Sequence, residues 1–60
     1  MDFEYKKVDK YVFLLTNKRT GKIRTERYEL NDDEMIEKSF SYADDWCVEV
    51  FLERDYEKVA

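Results

Sequence analysis

The chain contains no histidine, one glycine and one cysteine among its 60 residues. Without histidine, the nitrogen and sulfur ligand sets of the usual zinc sites cannot be assembled. The single cysteine leaves no internal disulfide, so Cys47 is expected to be a small buried apolar residue in a reducing compartment. We therefore expect no metal and no cofactor.

The same absences argue against an enzyme. The sequence offers no histidine base, no nucleophile paired with histidine and no glycine-rich phosphate loop. Carboxylate pairs are present, but a domain this small provides no cleft in which to desolvate two of them for general acid–base catalysis. We expect a binding protein.

Long apolar runs are also missing. No run approaches the roughly 20 residues of a membrane-spanning helix, and the N-terminal Met-Asp-Phe-Glu lacks a signal-peptide pattern. The sequence therefore predicts a protein of the cytoplasm without a membrane partner.

Aromatic residues, by contrast, are abundant: one Trp, five Tyr and four Phe. A chain near the lower size limit for independent folding can hardly bury all of them alone, so a homodimer is expected.

Charge is unevenly distributed along the chain. Residues 1–28 carry eight Lys or Arg against four Asp or Glu, whereas residues 29–60 carry three against eleven. The second half is therefore suited to a basic partner.

Hydrophobic periodicity predicts an α+β fold in a single domain over residues 1–60, with a β-β-α-β order. The expected elements are a hairpin over about 10–30, a helix over about 32–42 and a last strand over about 46–53. They would form a three-stranded antiparallel sheet with one helix. Residues 3–9 indicate a lead-in or weak edge strand, and the tail from Arg54 is expected to fray.

The first strand is apolar on both faces, which is typical of a central or doubly covered strand. Tyr11, Phe13 and Leu15 alternate with Val12, Leu14 and Thr16. A partner subunit could supply the second layer. The turn that follows closes on Gly21, the one residue suited to a positive φ.

The helix begins at a strong N-terminal signal. Asn31 is a suitable N-cap, Glu34 completes a capping box, and Asp32 and Asp33 lie at the positive end of the helix dipole. One apolar side is expected, comprising Met35, Ile36, Ser39, Phe40 and Ala43. Two interpretations remain open: an ordinary amphipathic helix with a solvated acidic face, or a helix whose acidic face binds a partner.

The hairpin offers a different candidate site, because cations there are interleaved with tyrosines. Single-stranded nucleic-acid binders combine such cations with stacking rings. The residues are Lys10, Lys18, Arg19, Lys22, Arg24 and Arg27, with Tyr11 and Tyr28. Basic hairpin tips also occur simply for solubility, and the net charge of −4 disfavours a polyanion.

Over residues 11–52 the chain resembles the short dimeric inhibitors of uracil-DNA glycosylase made by small protein-primed DNA phages. The similarity lies in the order and nearly gapless spacing of several segments. These are Val12-Phe13-Leu14-Leu15, a turn closing on Gly21-Lys22, a tyrosine-bearing return strand, a helix with an acidic start carrying Ile36-Glu37 and Phe40, and Asp45 before Val48, Val50 and Leu52.

This resemblance implies a homodimer joined through the last strands, whose two helices form an acidic groove that mimics DNA. The groove would occupy the glycosylase's DNA-binding cleft in the host cytoplasm, and a pocket between the helices would capture the enzyme's intercalating apolar side chain. Ile36 stands where the family has an aromatic residue, so Met35 or Phe40 can share the anchoring role. The basic Lys18-Arg19 also departs from the family's acidic turn.

The residues expected to bind the partner are Asp32, Asp33, Glu34, Met35, Ile36, Glu37 and Phe40. Those expected at the dimer interface are Trp46, Val48, Val50 and Leu52. No direct contact with nucleic acid is expected. The alternative function is a small dimeric module that binds single-stranded nucleic acid through the basic hairpin.

Overall fold

A computed structural model describes residues 7–59. The elements are β1 (Asp9–Asn17), β2 (Ile23–Leu30), α1 (Asp32–Tyr42), β3 (Trp46–Leu52) and α2 (Glu53–Val59). The strands form one antiparallel sheet in the order β2-β1-β3. The predicted α+β class and its three-stranded antiparallel sheet are confirmed. Most of the predicted lead-in over residues 3–9 lies outside the described residues, although Asp9 begins β1.

The central position of β1 follows from its two apolar faces. Phe13 is completely buried and lies between Glu26 of β2 and Val50 of β3 in the strand register. Tyr11 and Leu15 flank it on the same face and complete the buried core that α1 covers. Antiparallel pairing on both sides satisfies the backbone of β1, so this strand can be fully enclosed.

The turn between β1 and β2 is built by Asn17 and Gly21. The Asn17 side-chain oxygen accepts hydrogen bonds from the backbone N–H groups of Arg19 and Thr20, at 2.8 and 2.9 Å. Gly21 has φ +74°, a conformation that costs glycine little and other residues more. The turn therefore depends on the residue types that the sequence places there.

Helix α1 has the predicted bounds and the predicted capping box. The Asn31 side chain accepts from the Glu34 N–H at 2.9 Å, and the Glu34 carboxylate accepts from the Asn31 N–H at 3.1 Å. At the other end, the last turn of α1 carries no basic residue of its own. Lys18 from the hairpin turn donates to the Ala43 carbonyl oxygen at 2.6 Å and so places a cation at the negative end of the helix. This contact gives one of the basic turn residues a structural role.

The expectation of a frayed tail from Arg54 is wrong. Strand β3 ends at Leu52, and the following residues form α2. A seven-residue helix is unstable alone, so tertiary packing must hold it. Tyr56 packs on Phe51 with 5.6 Å between ring centroids. Phe51 pairs with Val12 on the sheet face opposite α1, and α2 therefore supplies part of the second layer within the subunit itself.

The expectation that Cys47 is buried is also wrong, because its side chain is exposed. The strand pleat turns Cys47 away from α1, and it lies beside Thr16 at the end of β3 farthest from α2. Neither helix therefore covers it.

Among the described residues, no helix is long and apolar enough to cross a membrane.

Candidate protein-binding site

Helix α1 carries two apolar stripes rather than the single apolar side that its sequence predicted. Met35 and Tyr42 pack against the core of the sheet. Ile36 and Phe40 are instead 46% and 73% exposed. Successive helix residues are about 100° apart, so a stripe that begins one residue later points in a clearly different direction. We call Met35, Ser39 and Tyr42 the inner stripe.

The exposed side of α1 alternates carboxylates with apolar side chains. Asp33, Ile36, Glu37 and Phe40 follow the i, i+3, i+4, i+7 spacing that aligns residues along one helix face. All four side chains are exposed. We call these four residues the outer stripe. It places two large apolar groups in water, each beside a carboxylate.

The other three residues predicted to bind a partner contribute to the structure of α1. Asp32 accepts a hydrogen bond from the Tyr11 hydroxyl at 2.8 Å, and this bond, together with burial, raises the pKa of Tyr11. Glu34 belongs to the capping box, and Met35 packs on the core. Four of the seven predicted residues therefore lie in the outer stripe, and the other three hold α1 in place through a hydrogen bond, a cap and core packing.

A carboxylate that sequence analysis did not select connects α1 to β2. Glu26 lies on the α1 side of β2, and its side chain is only 18% exposed. Its Oε1 accepts hydrogen bonds from the hydroxyls of Tyr42 and Tyr28, the latter at 2.8 Å, while Arg24 lies 2.8 Å from Oε2. The tyrosine hydrogen bonds lower the pKa of Glu26, and Arg24 and Lys38 add to this effect.

The two tyrosines of this cluster are also held by the core and by Lys38. Their rings contact Phe13 at centroid distances of 5.8 Å for Tyr28 and 6.1 Å for Tyr42. The Lys38 ammonium lies 4.1 Å from the Tyr28 ring centroid. Burial, followed by the hydrogen bond to Glu26, raises the pKa of Tyr42. The sequence signal for this cluster was Glu26 itself, a charged residue on the face of β2 that also carries Tyr28 and Leu30.

The residues expected at a dimer interface lie on the α1 side of β3. Trp46, Val48, Val50 and Leu52 are partly buried against their own core. In the sheet formed by residues 7–59, β3 is an edge strand, with β1 along one side only. Their side chains therefore belong to the subunit core, while the backbone of β3 forms a sheet edge.

The basic hairpin keeps exposed cations but does not expose its tyrosines for stacking. Tyr11 is only 7% exposed, and the Tyr28 ring lies between Phe13 and Lys38. Arg24 is 5.7 Å from the Trp46 ring centroid and forms an ion pair with Glu26. The hairpin therefore lacks the combination of cations and accessible rings that favours single-stranded nucleic acid.

Within residues 7–59, no group of three or more His, Cys, Asp or Glu is placed to hold a metal ion. Comparison of the chain with protein-family models, curated proteins and solved structures gives no significant match.

Proposed function

We propose that this protein inhibits uracil-DNA glycosylase by mimicking DNA, with the outer stripe of α1 as its binding surface. The exposure of Ile36 and Phe40 on the same helix face as Asp33 and Glu37 is the observation that carries the proposal. A phenylalanine this exposed contributes little to the stability of the fold, whereas its burial by a partner would contribute favourable free energy to binding. The sequence resemblance to the phage inhibitors names the partner class.

The two kinds of side chain in the outer stripe have different tasks. Asp33 and Glu37 present negative charge to a cleft that normally receives DNA phosphates, which accelerates encounter with a basic surface. Phe40 and Ile36 supply apolar area for the enzyme's intercalating side chain, which slows dissociation. Inhibition requires no catalytic step and no cofactor, only occupation of the cleft.

A homodimer joined through β3 is part of this proposal. Half of the eight β2 residues are charged, namely Arg24, Glu26, Arg27 and Glu29, whereas Glu49 is the one charged residue of β3. Charged side chains protect sheet edges against pairing, so β3 is the edge better suited to a second subunit. A two-fold axis perpendicular to the sheet keeps both α1 helices on one side, where they can form a groove. Sedimentation should give a dimer at micromolar concentration, and a monomer would refute this part.

Such an inhibitor would act in the host cytoplasm, where it would protect phage DNA from uracil excision during infection. The decisive experiment mixes the protein with a uracil-DNA glycosylase and measures uracil excision from a labelled oligonucleotide. We expect excision to stop near stoichiometric inhibitor, with stronger inhibition at low salt because the carboxylates contribute to association. Unimpaired excision at molar excess would refute the proposal.

Single-stranded nucleic-acid binding is the alternative function, and the exposed Lys10, Lys22 and Arg27 are its support. A gel shift with labelled single-stranded DNA separates the two proposals. A complex at low salt, together with normal glycosylase activity, would favour the alternative.

A further inference from the structure

Burial of apolar surface does not by itself explain which side of α1 faces the sheet. The inner stripe contains Met35, Ser39 and Tyr42. A rotation of about 100° would present the residues one position later, Ile36, Phe40 and Ala43, which are at least as apolar. The observed rotation leaves Phe40 73% exposed. Polar interactions therefore decide the rotation, and they include the cost of turning the carboxylates of the outer stripe toward the sheet.

The Tyr42 hydroxyl supplies a polar interaction that favours the inner stripe. It donates to Glu26 Oε1, which also accepts from the Tyr28 hydroxyl at 2.8 Å. Because Glu26 is only 18% exposed, a neighbour that cannot donate would leave this carboxylate poorly solvated. Neither Phe40 nor Ala43 has a side-chain donor to replace Tyr42. The alternative rotation would bury a phenylalanine at the expense of a charge-assisted hydrogen bond.

Lys38 favours the same rotation. Its ammonium lies over the Tyr28 ring at 4.1 Å and near the Tyr42 ring at 5.6 Å. Its charge also contributes to the lowered pKa of Glu26. A turned helix would carry this cation away from both rings.

We propose that Glu26 is a positioning residue that sets the rotation of α1 through Tyr42 and thereby keeps Ile36 and Phe40 facing solvent. Glu26 lies in β2 and belongs to neither stripe of the helix. Its effect on glycosylase inhibition rests on the proposed function, whereas its effect on the exposure of Phe40 does not.

The test labels the phenylalanines with fluorine, four in the parent and five in each Tyr→Phe variant, and follows the Phe40 signal by NMR, assigned in each background with an added Phe40→Leu substitution. The solvent-isotope shift between H2O and D2O reports exposure, and the buried Phe13 provides an internal reference. In Tyr42→Phe, which keeps the ring but removes the hydroxyl, we expect the Phe40 isotope shift to fall toward that of Phe13. Glu26→Met should have the same effect, whereas Glu26→Gln retains an acceptor oxygen and should preserve the shift.

Tyr11→Phe is the matched control, because it also removes one phenol-to-carboxylate hydrogen bond, here to Asp32 at the start of α1. It should leave the Phe40 signal unchanged. An unchanged Phe40 shift in folded Tyr42→Phe would overturn the proposal, and so would an equal loss in Tyr11→Phe. The parent protein in the glycosylase assay tests the proposed function separately. If the parent inhibits, Tyr42→Phe should inhibit less than Tyr11→Phe does.

Discussion

Replacing Phe40 with alanine should separate folding from binding. Complete burial of a phenylalanine is worth about 1.5–3 kcal/mol, and Phe40 is only about a quarter buried in the subunit, so its loss should lower the free energy of unfolding by about 0.4–0.8 kcal/mol. If a partner buries the ring as an anchor, the same change should weaken binding by about 2–4 kcal/mol, or about 30- to 700-fold. Replacing the fully buried Phe13 with alanine should instead mainly destabilise the fold, by about 3–5 kcal/mol.

The assay combines urea unfolding of each variant with its glycosylase inhibition constant. A matched pair of isoleucines controls for the loss of exposed apolar surface. Ile36 in the outer stripe is 46% exposed, and Ile23 on the opposite face of the sheet is 66% exposed. Ile36→Ala should weaken inhibition, and Ile23→Ala should not.

Two results would refute this reasoning. If Phe40→Ala destabilises the subunit as much as it weakens inhibition, Phe40 supports the fold and is not a partner anchor. If the two isoleucine variants lose inhibition equally, the binding surface is not confined to α1. The first result would remove Phe40 as the anchor, and the second would refute a binding surface limited to the outer stripe.

The remaining predictions concern the supports of α1. Lys18→Met removes the cation at the Ala43 carbonyl and should cost about 0.3–1 kcal/mol in urea unfolding, less in high salt. Asn31→Ala removes the N-cap and should cost about 1 kcal/mol, measured in the same way. Because the pKa of folded Glu26 is lowered, its contribution to stability is present above its ordinary value of 4.5 and is lost as pH falls through the folded value. In Glu26→Gln, which does not titrate, this loss of stability at low pH should be absent. The pKa of Tyr42 is raised in the folded protein, so Tyr42 contributes stability below pH 10.0 and loses that contribution as pH rises further. Stability should therefore fall above pH 10.0, and less so in Tyr42→Phe.

Local chemistry explains why the start of α1 and the central place of β1 were predictable. Asn31 and Glu34 each cap an N–H group only three residues away in sequence, so their role needs no tertiary information. The apolar faces of β1 likewise indicated a central strand before any partner strand was known. Helix α2 was not predicted because a helix of seven residues needs tertiary packing, which the ring contact of Tyr56 with Phe51 provides.

The sequence by itself determined the α+β fold class, the order of the first four elements, the acidic start of α1 and the charge difference between the two halves. Each of these depends on residue type and short-range spacing. The tertiary structure decided which side of α1 faces the sheet, because both sides of the helix carry large apolar residues and the selecting hydrogen bond joins Tyr42 to Glu26, 16 residues away. Only the folded chain brings those two residues together, and their contact leaves Phe40 in water.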